Sequence, residues 1–175
     1  MDVLETVYTS VIELEHVLGI TGCGKVVSGN MVSGFRGMNT TEDPMHMTDR
    51  VLVRPMLDIL GYERDTSDGR IAVVTTTANS PVPGMSQLVM GTVRSGRFTT
   101  GIGTDGFAWV LVRKTDGRVR VSAVHDIREY YLEAFEMRRF RSAVVRDKGG
   151  IASFLREMSR NTVLSDPCDH DGRSR

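Results

Sequence analysis

Residues 98–124 read FTTGIGTDGFAWVLVRKTDGRVRVSAV, and this stretch decides the fold. Two Asp-Gly pairs, Asp105-Gly106 and Asp116-Gly117, divide it into three short segments. Asp-Gly is typical of tight turns between strands, and the segments are rich in β-branched and aromatic residues, which favour strands. We therefore predict three consecutive strands, at 98–103, 107–113 and 118–124.

The chain before this stretch predicts two helices and a fourth strand. Apolar residues recur at helical spacing over 2–18, and Gly19 is a suitable stop. Thr48 or Asp49 is suited to cap a second helix over 48–60, in which Pro55 should cause a kink or open the first turn. The β-branched run at 71–77 then predicts a strand.

Three further helices are predicted from the remaining segments. A short one covers 86–94, with Leu88 and Val89 pointing inward, and two more close the chain, at 127–145 and 151–159. Helices and strands in this order predict an α/β fold, a mixed central sheet flanked by helices.

Composition and charge restrict the class of protein. With 175 residues, 40% of them hydrophobic, the chain is long enough for one domain with a real core. It has 22 basic and 22 acidic residues, which excludes a uniformly basic nucleic-acid binder but not a local basic face. We expect a cytoplasmic protein without membrane contact, because the chain contains two distant cysteines and no apolar run of membrane length.

No common catalytic or metal-binding motif is convincing. Residues 19–25 read GITGCGK, which matches part of a phosphate-binding loop, but a helix precedes it and Val26 follows the lysine. The histidines do not stand at the spacing of a zinc site. We therefore expect no metal and no cofactor.

Three segments, taken in order, resemble a known family. They are RPMLDILGY at 54–62, TGIGTDGFAW at 100–109 and DIREYY at 126–131. Together they resemble the N-terminal restriction-endonuclease-like (PD-(D/E)XK-type) domain of type I restriction enzyme R subunits and its relatives. The resemblance covers about residues 42–160, and it implies a restriction-endonuclease-like fold.

The same resemblance implies that the catalytic centre is degenerate. The family cleaves DNA with an Asp, followed by Glu-x-Lys on the adjacent strand, and the carboxylates hold a divalent metal. Here Thr75 stands where the Glu is expected and Thr77 where the Lys is expected, while Asp68, or Asp65, is the candidate for the first Asp. Gln87 fits a glutamine that often follows on the next helix. No residue is therefore assigned a catalytic role.

Two functions follow as hypotheses. The first is a catalytically degenerate restriction-endonuclease-like domain that binds DNA or a partner subunit in a restriction or defence context. The alternative is an active, magnesium-dependent endonuclease with displaced acids, drawn from Glu42, Asp49, Glu63, Asp65 and Asp68. A third option is a domain that binds only protein.

Two basic segments are candidates for contact with a polyanion. One covers 94–120 and the other 137–148; the alternative is that both simply face water. The DNA-binding candidates are Arg138, Arg141 and Lys148.

The predicted domain organisation has four parts. They are an N-terminal helix at 1–18, a glycine-rich connector at 19–46 with a short strand near Lys25, the nuclease-like α/β domain at 47–164, and a disordered tail at 165–175.

Overall fold

The sheet has four strands, and their spatial order is their order along the chain. In a computed structural model that describes residues 2–30, 42–62, 70–141 and 149–165, β1 is parallel to β2, and the pairs β2–β3 and β3–β4 are antiparallel. The strands are β1 Ile71–Thr75, β2 Thr100–Thr104, β3 Ala108–Thr115 and β4 Arg118–Asp126. All four predicted strands are thus present, with ends that differ by a few residues from the prediction.

The helices within the described residues flank this sheet. They are α1 Val3–Val27, α2 Pro44–Thr48, α3 Arg54–Ile59, α4 Val82–Ser95, α5 Arg128–Phe140, α6 Gly149–Met158 and α7 Arg160–Ser165, and a π-helical turn, Asp49–Val53, joins α2 to α3. The predicted mixed α/β architecture is confirmed. Among the described residues, no helix combines the length and apolar character needed to cross a bilayer.

Alternate residues of β3 serve two separate cores. Trp109 and Leu111 belong to the larger core, with α1, α3, α5 and α6, whereas Val110 and Val112 face α4. The period of two in a strand explains this division, because successive side chains point to opposite faces. Since α1 contributes Val7 to the larger core, it packs as part of the same body as the sheet.

Two glycines in β2 allow α4 to lie close to the sheet. A Cβ added at Gly101 would lie 2.6 Å from Cγ2 of Val89, and one at Gly103 would lie 3.1 Å from Cγ of Met85. Ile102 between them faces the larger core and is fully buried. The Gly-Ile-Gly alternation is therefore a packing pattern, with no side chain where the helix approaches.

The helix predicted over 86–94 is longer in the structure. One of the two residues predicted to point inward, Leu88, is exposed instead. α4 begins at Val82, with Pro83 in its first turn. Val89 is fully buried, but Leu88 is 58% exposed. Adjacent residues of a helix are separated by about 100° around its axis, so Leu88 and Val89 do not share one narrow face.

The prediction of a glycine-rich connector was wrong for its first part. Gly19 does break the helix, with φ 73° and ψ 168°, but the chain is helical again up to Val27, so no strand forms near Lys25. Gly24 lies inside this second helical segment, where a Cβ would lie 3.0 Å from the ring of Phe135. Close packing against Phe135, rather than flexibility, therefore explains why position 24 is a glycine. Residues 31–41 of the predicted connector and residues 166–175 of the predicted tail lie outside the described residues.

The helix predicted at 48–60 starts earlier and contains the opened turn that Pro55 suggested. Asp43 is the actual cap, and its Oδ1 accepts hydrogen bonds from the backbone N–H groups of Met45 and His46. The backbone N–H of Arg54 reaches the carbonyl of Asp49, five residues back. This wider turn gives room for a proline ring, which would clash with the carbonyl four residues earlier in a regular helix.

Candidate functional site

β1 ends at Thr75, and Thr77 follows two residues later; these are the positions at which the resemblance expects the Glu and the Lys. The hydroxyl of Thr75 donates to Oδ1 of Asp49, on the π-helical turn, at 3.2 Å. The other carboxylate oxygen of Asp49 accepts from Nε of Arg54 at 2.8 Å. Asp49, one of the candidate displaced acids, is thus next to the expected site, but a guanidinium already balances its charge.

The other acids proposed for the displaced centre do not gather there among the described residues. Glu42 pairs with Arg50 and His46, and the hydrogen bond from Arg50 holds the pKa of Glu42 below its usual range. Within residues 2–30, 42–62, 70–141 and 149–165, no three His, Cys, Asp or Glu side chains form a group that could hold a metal ion. Three of the candidate acids, Glu63, Asp65 and Asp68, lie outside those ranges.

Gln87, the remaining position of the nuclease pattern, lies on the exposed side of α4. Thr77 is half-buried, and its backbone carbonyl accepts a hydrogen bond from the backbone N–H of Ser80 at 3.1 Å. The carbonyl of Thr77 thus closes a turn that leads into α4.

The Thr-Asp-Gly segment after β2 is a buried structural turn. Oδ1 of Asp105 accepts hydrogen bonds from the backbone N–H groups of Phe107, at 3.0 Å, and Ala108, at 2.7 Å. The indole N–H of Trp109 donates to the carbonyl of Gly106 at 3.3 Å, and its ring packs on Phe154 of α6. This segment, on which the resemblance partly rests, therefore has a structural role: Asp105 and Trp109 are buried, and their polar groups bond to the turn itself.

The buried carboxyl of Asp105 makes stability depend on pH. Burial raises its pKa above the usual range, although the N–H donors and the charge of Arg128 act in the opposite direction. A group with a raised pKa in the folded state favours folding while protonated. Its contribution is therefore full below about pH 4, the ordinary value, and is lost as pH rises through the raised value.

We predict that Asp105→Asn, which keeps an oxygen for both N–H donors, gains stability relative to the unmodified protein as pH rises from about 4 to 7. Urea denaturation at several pH values measures this difference. The difference between the two proteins below about pH 4, where the contribution of Asp105 is full, is the reference for this trend. A loss of stability in Asp105→Asn that is equal at all pH values would contradict the prediction.

A basic surface lies on the β3–β4 hairpin. The strand register places Arg113 opposite Arg120 and Thr115 opposite Arg118, so these four side chains share one face of the sheet. They line an open groove of about 820 Å³ together with Asp116, Val121 and Ser122. We call this surface the arginine face, meaning Arg113, Arg118 and Arg120.

Further positive charge stands next to the arginine face. Nη1 of Arg113 lies 3.5 Å from the carbonyl of Val163 on α7. Burial raises the pKa of the Tyr62 phenol, and the charges of Arg160 and Arg113 act in the opposite direction.

The arginine face and the two threonines lie at opposite ends of the sheet. Thr75 pairs with Thr104, which pairs with Trp109, whereas Thr100 at the other end of β2 pairs with Arg113. Four residues of strand separate the two ends, which is about 13 Å along the strand direction. The positive charge is therefore not arranged around the expected cleavage position.

The DNA-binding candidates named from the sequence, Arg138, Arg141 and Lys148, do not belong to the arginine face. Arg138 donates from Nε and Nη2 to Oε2 of Glu15 on α1, at 2.9 and 2.6 Å, and its guanidinium lies over the ring of Tyr8. Arg141 is exposed and adopts a left-handed conformation at the end of α5. Lys148 lies outside the described residues. Arg138 thus serves to hold α5 against α1.

No protein-family model, curated protein or solved structure matches this chain. The site must therefore be judged by its own geometry. The sequence did signal the arginine face, since Arg118 and Arg120 alternate with Val119 and Val121 as expected for one face of a strand. It did not signal that Arg113 joins them, because that depends on the register.

Proposed function

We propose that this protein is a restriction-endonuclease-like domain with a degenerate catalytic centre, and that it binds DNA through the arginine face in a restriction or defence context. The observation that carries the proposal is the convergence of Arg113, Arg118 and Arg120 on one face of the hairpin, around an open groove. Guanidinium groups bind phosphate through paired hydrogen bonds, and such contacts are the main source of affinity for DNA.

The balance of charge over the whole chain supports a local binding site. The formal net charge is zero, so affinity for a polyanion has to come from an uneven distribution of charge. The arginine face supplies this unevenness. Its distance from Thr75 and Thr77 is consistent with a domain that holds DNA without cutting it.

The paired change Arg118→Ala and Arg120→Ala tests this proposal. Each phosphate contact contributes about −0.9 to the slope of log affinity against log salt concentration, so we expect the slope to become shallower by about 2. Affinity for duplex DNA should fall by about tenfold or more at low salt. Fluorescence anisotropy with a labelled duplex over a series of salt concentrations measures both quantities.

The control is the pair Arg139→Gln and Arg141→Gln, which removes the same amount of charge from the exposed end of α5 and leaves the ion pair of Arg138 with Glu15 in place. Neither residue lines the groove, so we expect this pair to change the slope much less. An unchanged slope in the hairpin variant, or an equal change in both variants, contradicts the assignment of the arginine face.

A further inference from the structure

We infer that a second copy of this chain binds along the outer edge of β4, so that the sheets of the two copies join into one across a two-fold axis. This inference goes beyond the proposed function, and it is tested without nucleic acid. It rests on the backbone edge of β4, on the apolar side chains beside that edge, and on the register that a bulge in the strand imposes.

β4 is a long edge strand. It has nine residues, Arg118–Asp126, and within the part of the chain that the structure describes it pairs with β3 on one side and with no strand on the other. None of its nine residues is fully buried. An edge strand presents a row of backbone N–H and C=O groups with which the strand of another molecule can pair. β4 therefore has the backbone groups needed to continue the sheet into a second copy.

Two exposed valines stand on one face of this strand. Val121 lies opposite Val112 of β3, whose side chain packs against α4. Val124 lies opposite Val110, which packs on the same helix. Both valines thus point to the face that α4 covers, yet Val121 is 42% exposed and Val124 is 51% exposed. A strand added at this edge would remove their apolar surface from water, which favours association.

A bulge in β4 restricts the ways in which two copies can pair. The register with β3 skips Ser122, so β4 has one extra residue at that point. Paired strands of one sheet place side chains of the same face opposite each other. A two-fold axis beside the bulge meets this condition when Val121 of one copy lies opposite Val124 of the second copy. In this register the two exposed valines cover each other, and symmetry repeats the contact.

The other face of β4 brings opposite charges together in the same register. Arg120 of one copy lies opposite His125 of the second copy, because Val121 lies opposite Val124. Nε2 of His125 lies 3.0 Å from Oε2 of Glu157, whose side chain is 41% exposed. Residues directly opposite each other have Cβ atoms about 5 Å apart, a distance that an arginine side chain spans. Arg120 therefore meets the carboxylate of Glu157 of the other copy, and two such ion pairs form in each dimer.

Sedimentation equilibrium of the full chain measures this association. We expect the mass to rise from that of one chain, 19.4 kDa, to that of two as the concentration increases from about 1 to about 100 µM. Val124→Glu places an unpaired charge against Val121 of the second copy and should weaken the dimer at least about tenfold. Glu157→Gln removes the ion pairs and should weaken it several-fold. Ile12→Glu, at a position of α1 that is 40% exposed, is the matched control and should leave the association unchanged.

Cysteine cross-linking tests the register. Val121→Cys and Val124→Cys are made separately in a chain that also carries Cys168→Ser. Directly opposite residues have Cα atoms about 5 Å apart, within the range of a disulfide, whereas the two copies of position 121 are offset by three residues, about 10 Å along the strands. We expect disulfide-linked dimers when the two variants are mixed under a mild oxidant, and few when either variant is oxidised alone.

Three results would overturn the inference. The first is the mass of a single chain at every concentration. The second is a dimer that Val124→Glu does not weaken, or that Ile12→Glu weakens as much. The third is cross-linking of either cysteine variant alone that is as efficient as cross-linking of the mixture, because the register that joins the exposed valines would then be wrong.

Discussion

Replacing Gly106 with alanine is expected to destabilise the protein by about 3 to 5 kcal/mol, a large fraction of the roughly 5 to 15 kcal/mol that stabilises a typical domain. Gly106 has φ 92°, a conformation that costs a residue with a side chain about 1 to 2 kcal/mol. The added Cβ would also lie 2.5 Å from Cβ of Leu52. Leu52 is fully buried in the π-helical turn and has no room to move away.

Gly117 is the matched control for this prediction. It has a similar conformation, φ 73°, but a Cβ there would meet no atom within 4 Å. Gly117→Ala should therefore show only the conformational cost, about 1 to 2 kcal/mol. Chemical denaturation of both variants gives the difference between them, which measures the contact with Leu52. Equal losses of stability in the two variants would mean that the turn Thr104-Asp105-Gly106 does not pack on the π-helical turn.

The second prediction with a large expected effect is that the purified protein shows no metal-dependent cleavage of DNA. Magnesium needs one or two carboxylates fixed beside the scissile phosphate. Thr75 and Thr77 supply neither the carboxylate nor the amine expected on this strand, and the nearby Asp49 is bound to Arg54. Loss of one essential group typically lowers the rate by orders of magnitude, and here two are replaced.

Supercoiled plasmid incubated with the protein and either magnesium or manganese is the substrate for this test. We expect it to stay supercoiled for as long as it does without protein. Cleavage that a chelator abolishes, and that follows the protein through successive purification steps, would falsify the prediction. It would favour the displaced-acid alternative, with Asp49 and one or more of Glu63, Asp65 and Asp68 as ligands.

The sheet was predictable because its signals are local. The two Asp-Gly turns and the β-branched runs lie within a few residues of the strands that they define. The register of β3 and β4 does not follow from their turn alone, because it shifts between Leu111 and Val112. The pairing of β1 with β2 depends on the way α4 crosses the sheet, which no local signal gives.

The helical segment after Gly19 was not predicted, because glycine is common both in loops and at places where a helix packs closely against a neighbour. A glycine inside a helix costs about 1 kcal/mol in propensity, so several of them indicate a loop. Gly24 offsets this cost by close contact with Phe135, more than a hundred positions later in the chain. A sequence cannot show that contact, and the same limitation hid the pairing of Arg138 with Glu15.

The sequence could predict that a basic surface exists, but not which of the two basic segments forms it. The sequence showed two basic segments of similar strength, 94–120 and 137–148. Only the structure distinguishes them, because the strand register gathers Arg113, Arg118 and Arg120, while an ion pair with α1 occupies Arg138.

Between Asp49 and Val53, in the π-helical turn, the structure depends more on the number of residues than on their type. The hydroxyl of Thr48 accepts a hydrogen bond from the backbone N–H of Ala78, and Asp49 accepts one from Thr75, so both residues must face the end of β1 and the segment that follows it. Removing one residue from the turn would rotate them by about 100° relative to α3. A deletion of a single residue is therefore a larger change at this place than most substitutions, since it would carry both contacts away from the sheet together.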